Sequence, residues 1–149
     1  MSVWSDWSAR FRKVADCVLR SRVRQASPAV QPAGARAERL AEQHLIAHGA
    51  KILARNTRYK GGEIDLIAEH AGHIVFVEVR LRKNSDFGGA AASITPAKQH
   101  RIVLAARHWL QGAGSAYSRR PCRFDAVLLD ALDDKRAEWL QAAFFMDGF

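Results

Sequence analysis

Apolar residues at steps of three and four open the chain. Trp4, Trp7, Phe11, Val14 and Val18 fall on one helical face, with arginines on the other. Residues 25–34, rich in Ala, Pro and Gln, read as a linker. Beyond it, Leu40, Ala41, His44, Leu45 and His48 keep helical steps, so residues 35–48 form a helix closed by Gly49. Short apolar runs then predict strands over 51–58, 63–70 and 73–81, the last two joined by Ala71-Gly72. A loop over 84–93 leads to Thr95-Pro96, an N-cap with proline at the first helical position, and a helix running to about Gln111 and stopping at Gly112. Strands over 123–130 and 138–145, with a polar turn at 133–136, complete the chain. Helix, three strands, helix, two strands is the order of an α/β layered domain with a mixed sheet. That domain spans residues 34–149, and residues 1–33 form a basic amphipathic extension and linker.

Length and composition add limits. At 149 residues, 48% hydrophobic and 26% charged, the chain has enough apolar surface for one core and is neither disordered nor a disulfide scaffold. Cys17 and Cys122 have neither metal-ligand nor redox spacing, which fits a reducing, cytoplasmic setting. No apolar run reaches the roughly 20 residues that span a bilayer. The formal charge of +8 favours polyanions, nucleic acid before anionic membrane. Half of it lies in residues 1–33, which hold six basic and two acidic side chains. The segment 1–24 is therefore a candidate for contact with a protein partner, a membrane surface or nucleic acid, or else a poorly ordered extension. It lacks the unbroken apolar stretch of a secretory signal.

The central hairpin carries the chemistry. A two-residue loop at Ala71-Gly72 pairs His70 with His73. In that register Ile67 meets Phe76, Asp65 meets Glu78 and Glu63 meets Arg80 on one face. Leu66 meets Val77 and Ile64 meets Val79 on the other, which is wholly apolar and must be core. Opposed side chains in a sheet have Cβ atoms about 4.5–5.5 Å apart. Two partly desolvated carboxylates that close repel, so one takes up a proton, a cation joins them, or arginines pair with them at a solvated edge. A one-residue bulge would part them. If a cation joins them, hard oxygen ligands that leave room for water and phosphate suit Mg²⁺ or Mn²⁺.

Two more residues qualify. Glu38 lies beside the apolar face of the first helix, and its alternative role is that of a solvated glutamate. Gln99 shares the apolar face of the second helix with Ile102, Ala106, Trp109 and Leu110. A buried amide without a partner costs about 1–3 kcal/mol, so Gln99 needs one, either a metal-bound water or a backbone carbonyl. His44 and His48 are four apart on a helix but have no further partner at zinc-ligand spacing. No phosphate-cradling glycine loop or Ser/His/Asp arrangement is present.

The strings Arg55-Asn56-Thr57-Arg58, Gly61-Gly62-Glu63-Ile64-Asp65-Leu66-Ile67-Ala68, Val75-Phe76-Val77-Glu78-Val79-Arg80 and Thr95-Pro96-Ala97-Lys98-Gln99, with Pro121-Cys122-Arg123-Phe124-Asp125, resemble the YraN family of bacterial proteins. That family is related in fold to restriction endonucleases and Holliday junction resolvases. The resemblance covers residues 34–149. It implies a restriction endonuclease-like three-layer core, a mixed β-sheet flanked by helices. It also implies that Asp65 and Glu78 are metal ligands, that Glu38 is the helix glutamate and that Gln99 is the second-helix residue of the site. Two positions depart from the family pattern: Arg80 stands where lysine is usual, and Ala37 where glycine is usual. Arginine cannot act as a base, but it can clamp phosphate.

The expectation that follows is a Mg²⁺- or Mn²⁺-dependent nuclease acting on branched or single-stranded DNA. In it Asp65 and Glu78 bind metal, Glu38 adds a carboxylate directly or through water, and Arg80 and Gln99 position phosphate or water. Arg55, Arg58, Lys60, Arg82, Lys83, Lys98 and Arg101 would hold backbone phosphates, or else form a solvated basic surface. Phe87-Gly88-Gly89 would form a flap or simply connect. The competing readings are a non-catalytic nucleic-acid-binding module and a partner-binding protein docking through its N-terminal helix.

Overall fold

The computed structural model describes residues 31–81, 94–130, 132 and 136–145. The segment expected to form an N-terminal amphipathic helix, Arg82, Lys83 and the stretch expected to loop around Phe87 lie outside the described residues.

Helix α1 (Ala33–Ala47) precedes strands β1 (Lys51–Tyr59), β2 (Gly62–His70) and β3 (His73–Leu81). Helix α2 (Pro96–Gln111), a short 3-10 turn (Ser115–Tyr117) and strands β4 (Cys122–Leu129) and β5 (Ala137–Phe144) follow. The strands lie in sequence order in one five-stranded sheet. Only β3 and β4 run parallel, because α2 intervenes as a crossover between them. The sheet is mixed, as expected.

Local chemistry explains the element ends. Helix α1 closes on a left-handed Gly49, with the Gly49 N–H donating to the Ile46 carbonyl and the Ala50 N–H to the Leu45 carbonyl. Leu45 and Ala50 then meet in the core, which completes a Schellman stop. Thr95 caps α2, its hydroxyl accepting the Lys98 N–H at 3.3 Å, and Pro96 follows where its missing N–H costs nothing. The β2–β3 turn places Ala71 at φ 47° and Gly72 at φ 81°, the two left-handed residues of a tight hairpin.

Two cores sandwich the sheet. One packs Ile102, Val103, Ala106 and Trp109 of α2 on Ile67, Ile74, Phe76, Phe124 and Leu128. Phe76 lies edge-on to Trp109 at 6.0 Å and stacks on Phe124 at 5.5 Å. The other core packs Ala41 and Leu45 of α1 on Leu66, Ala68, Val75, Val77 and Val127. The result is three layers, helix on sheet on helix, compatible with a restriction endonuclease-like core. Burying a side chain the size of Leu45 contributes about 1.5–3 kcal/mol.

One expectation about faces fails. Ile64 does not share the face of Leu66 and Val77. It packs with Ile67 and Phe76 against α2. Strict alternation is broken at Asp65, and directly across in β1, Asn56 sits at φ 48° between the pairs Arg55↔Leu66 and Thr57↔Ile64. A left-handed residue inside a strand bends it, and asparagine tolerates that conformation better than most.

Candidate functional site

The β2–β3 ladder holds the expected register from His70↔His73 to Leu66↔Val77. The next rung, Asp65 opposite Glu78, is not made. Instead the Asp65 carboxylate accepts the Val79 N–H at 2.8 Å. The strands therefore part like a fork beyond Leu66, and Asp65 fills the gap. Glu78 stays on β3, which continues in register with β4. The two carboxylates remain electrostatic neighbours, though not as a ladder pair.

Glu78 is 4% exposed. Burial and the nearby Asp65 charge push its carboxyl up to about 7, against the pull of Lys98 and Arg80. Burial also raises the Asp65 carboxyl. The Val79 N–H and Lys98 oppose that shift, while Glu38 and Glu63 reinforce it. Among the described residues, no backbone or neutral side-chain group donates to Glu78 Oε2. Lys98 Nζ stands 3.2 Å from it in charge contact, and Arg80 Nη1 stands 3.7 Å from Oε1.

Arg80 was expected opposite Glu63, but it lies beside Glu78. Glu63 is shared by Arg58 at 3.4 Å and Lys98 at 3.6 Å. Lys98 thus joins the carboxylates themselves. An ammonium in the first turn of α2 works against the helix dipole, and the acids beside it, Glu63 and the buried Glu78, offset that cost. The sequence holds one oblique signal for this placement. A Cβ at Gly62 would collide with the Arg101 carbonyl oxygen, so glycine there lets the N-terminal half of α2 press onto the start of β2.

The other predicted residues take varied positions. Gln99 Nε2 donates to the Ile94 carbonyl at 2.9 Å, so of its two expected partners the amide nitrogen takes the backbone one. Glu38 is half-buried on α1, close enough to raise Asp65. Ala37, in place of the usual glycine, is buried. Arg55 forms a forked ion pair with Glu42 of α1, its Nε donating at 2.8 Å, and clamps the helix to β1. Arg58 and Arg101 line a cavity with Lys98, and Lys60 is exposed in the β1–β2 turn.

Among the described residues, no three His, Cys, Asp or Glu side chains meet at metal-holding spacing. The expected trio of Glu38, Asp65 and Glu78 is therefore not assembled as a cage of direct ligands. Asp65 and Glu78 alone still fit a hard divalent cation. They offer one buried and one half-buried carboxylate side by side, with a Glu78 oxygen that meets a cation and no backbone donor. Magnesium ordinarily binds through one or two carboxylates and completes its shell with water and phosphate oxygens.

Asp125 is the buried acid whose role the sequence reading missed. It is fully buried and fully satisfied. It accepts Arg123 Nε at 2.8 Å and Nη2 at 2.9 Å, Trp139 Nε1 at 2.8 Å and the Ala142 N–H at 2.9 Å. The last bond bridges an irregularity in the β4–β5 ladder, where Ala142 is left-handed. Asp65 and Asp125 both take a backbone N–H where a ladder breaks, but only Asp125 is surrounded by donors. Its role is structural.

Comparison with known proteins places this geometry in a family. The profile described as "Uncharacterised protein family UPF0102" matches residues 37–129, which contain the fork, α2 and β4. A UPF0102 protein of Methylobacillus flagellatus is 53% identical over 108 residues, covering 72% of this chain and 92% of that protein. One from Cupriavidus taiwanensis is 51% identical over 131 residues, covering 87% of this chain and 95% of its own length. A third, from Saccharophagus degradans, is 50% identical over 114 residues, 76% of this chain and 93% of that protein. The profile match and these identities over most of both chains establish that this protein belongs to the UPF0102 family, the YraN family that its Gly-Gly-Glu-Ile-Asp and Phe-Val-Glu-Val strings resemble.

Proposed function

We propose that this protein is a metal-dependent nuclease that hydrolyses phosphodiester bonds in DNA, with branched or single-stranded DNA as the substrate class. One observation carries the reading. The half-buried Asp65 and the buried Glu78 stand as neighbours where two strands part, and the cations Lys98 and Arg80 border Glu78. A fold does not need such a pair for stability, since burying charge in low dielectric is costly. Asp65 and Glu78 would hold Mg²⁺ or Mn²⁺, with Glu38 acting through water. When bound, such an ion supplies a Lewis acid for phosphate oxygens and lowers the pKa of a bound water. Lys98 and Arg80, the cations beside Glu78, would neutralise charge as it builds on the phosphate in the transition state. Gln99 holds the start of α2, and so Lys98, in place through Ile94.

The test incubates purified protein with flaps, junctions and single strands in Mg²⁺ or Mn²⁺. Cleavage is expected, reduced more than about a hundredfold by Asp65→Ala or Glu78→Ala. Cleavage that survives both substitutions overturns the assignment. A second reading, a non-catalytic nucleic-acid-binding module, draws support from Lys98 and Arg80, which already stand on the two oxygens of Glu78. It predicts salt-sensitive binding without cleavage under any divalent cation. No helix among the described residues is long and apolar enough to cross a membrane. A cytoplasmic setting, where nucleic acid is an abundant polyanion, is part of the proposal.

A further inference from the structure

Beside the fork, a cavity of about 390 Å³ opens between the β1–β2 turn and the start of α2. Its lining includes Arg58, Tyr59, Gly62, Glu63, Lys98 and Arg101. We infer that this cavity is a subsite for one unpaired nucleotide, its base stacked on Tyr59 and its phosphate held by Lys98 and Arg101. The inference rests on the nuclease reading of the fork and narrows its substrate to strands with unpaired bases.

Three features support it. The first is charge. Three cations and one carboxylate line the cavity, a net charge of +2 suited to a phosphodiester. The second is the aromatic side chain. Tyr59 is stacked on His108, with ring centroids 5.4 Å apart and 20° between planes, so the ring is held in one orientation before any ligand arrives. A preset ring beside cations is the arrangement that binds single strands, because every base has a face to stack and a base inside a duplex has none to spare. The third is continuity. Lys98 Nζ touches both Glu63 in the cavity wall and Glu78 in the fork. A backbone phosphate at Lys98 is therefore shared between the cavity and the carboxylates, and the nucleotide in the cavity adjoins the bond placed over Asp65 and Glu78. Gly62 brings these parts together, since any side chain there would push Arg101 away.

The experiment measures binding by fluorescence anisotropy of a fluorescein-labelled oligothymidylate, its abasic counterpart and a blunt duplex of equal length. EDTA is present so that no strand is cut. The full chain is expected to bind the oligothymidylate more tightly than the duplex. Tyr59→Leu, which keeps an apolar side chain on the core, is expected to weaken oligothymidylate binding roughly tenfold. It should leave abasic and duplex binding unchanged, and Tyr59→Phe should bind like wild type. Equal affinity for single strand and duplex, or a Tyr59→Leu protein of unchanged thermal stability that binds oligothymidylate like wild type, overturns the subsite. Cleavage plays no part in this readout. Loss of the nuclease reading would leave the single-strand preference standing, and loss of the preference would leave cleavage standing.

Discussion

Glu78 shows where burial and charge conflict most sharply. Its carboxyl sits at about 7 in the fold against an ordinary 4.5, so between those values the folded protein holds a proton that the unfolded chain has released. That proton's contribution to stability is complete below about 4.5 and is lost as the pH rises through 7. Glu78→Gln, neutral at every pH, is expected to remove this dependence. In urea denaturation of EDTA-treated protein, the substituted chain should gain on wild type from pH 5.5 to 8.5. A constant difference between the two would show that Glu78 carries no such shift. Asp125 is the contrasting case, since four donors satisfy it. Asp125→Ala leaves the half-buried guanidinium of Arg123 and the Trp139 and Ala142 N–H groups without their acceptor and is expected to cost about 3–5 kcal/mol in the same assay. The sequence singled out Glu78 through its place on the hairpin, while both residues are acids in apolar strands. It did not show which of them is satisfied, because the difference lies in donors contributed by β5, more than ten residues away.

The elements themselves were largely legible. Caps, glycines and periodicity act within a few residues of chain, so both helices and all five strands fall within about two residues of their expected ends. The hairpin register was legible for the same reason, since a two-residue turn sets which residues face each other. That turn also offers a stability test. Ala71 occupies a left-handed position that asparagine or glycine tolerates better. Ala71→Asn is expected to stabilise the protein by roughly 0.5–1 kcal/mol, seen as a higher urea midpoint with an unchanged slope. The fork was not legible. Continuing the ladder past Leu66 is the default for two apolar strands, and nothing local announces that Asn56 on the neighbouring strand turns left-handed opposite Asp65.

Across the assembled domain, the two carboxylates, Lys98 and Arg80 converge from β2, β3 and α2, and a cation bound there would link elements that now repel or merely touch. Mn²⁺ at a hundredfold excess over its dissociation constant is expected to stabilise the wild-type domain by about 2.7 kcal/mol, and Asp65→Ala to abolish the gain. Thermal melts with and without the metal check this, and equal shifts in both proteins would place the metal elsewhere. Element order, the mixed sheet and the candidate acids were already contained in the amino-acid string, because alternation, capping and turn chemistry are short-range effects. Where Asp65 points, that Lys98 joins Glu78, and that Tyr59 closes a charged cavity beside them were settled by packing. These depend on how closely α2, at Arg101 and Ala105, can settle over Gly62, a contact between segments nearly forty residues apart that no local pattern encodes.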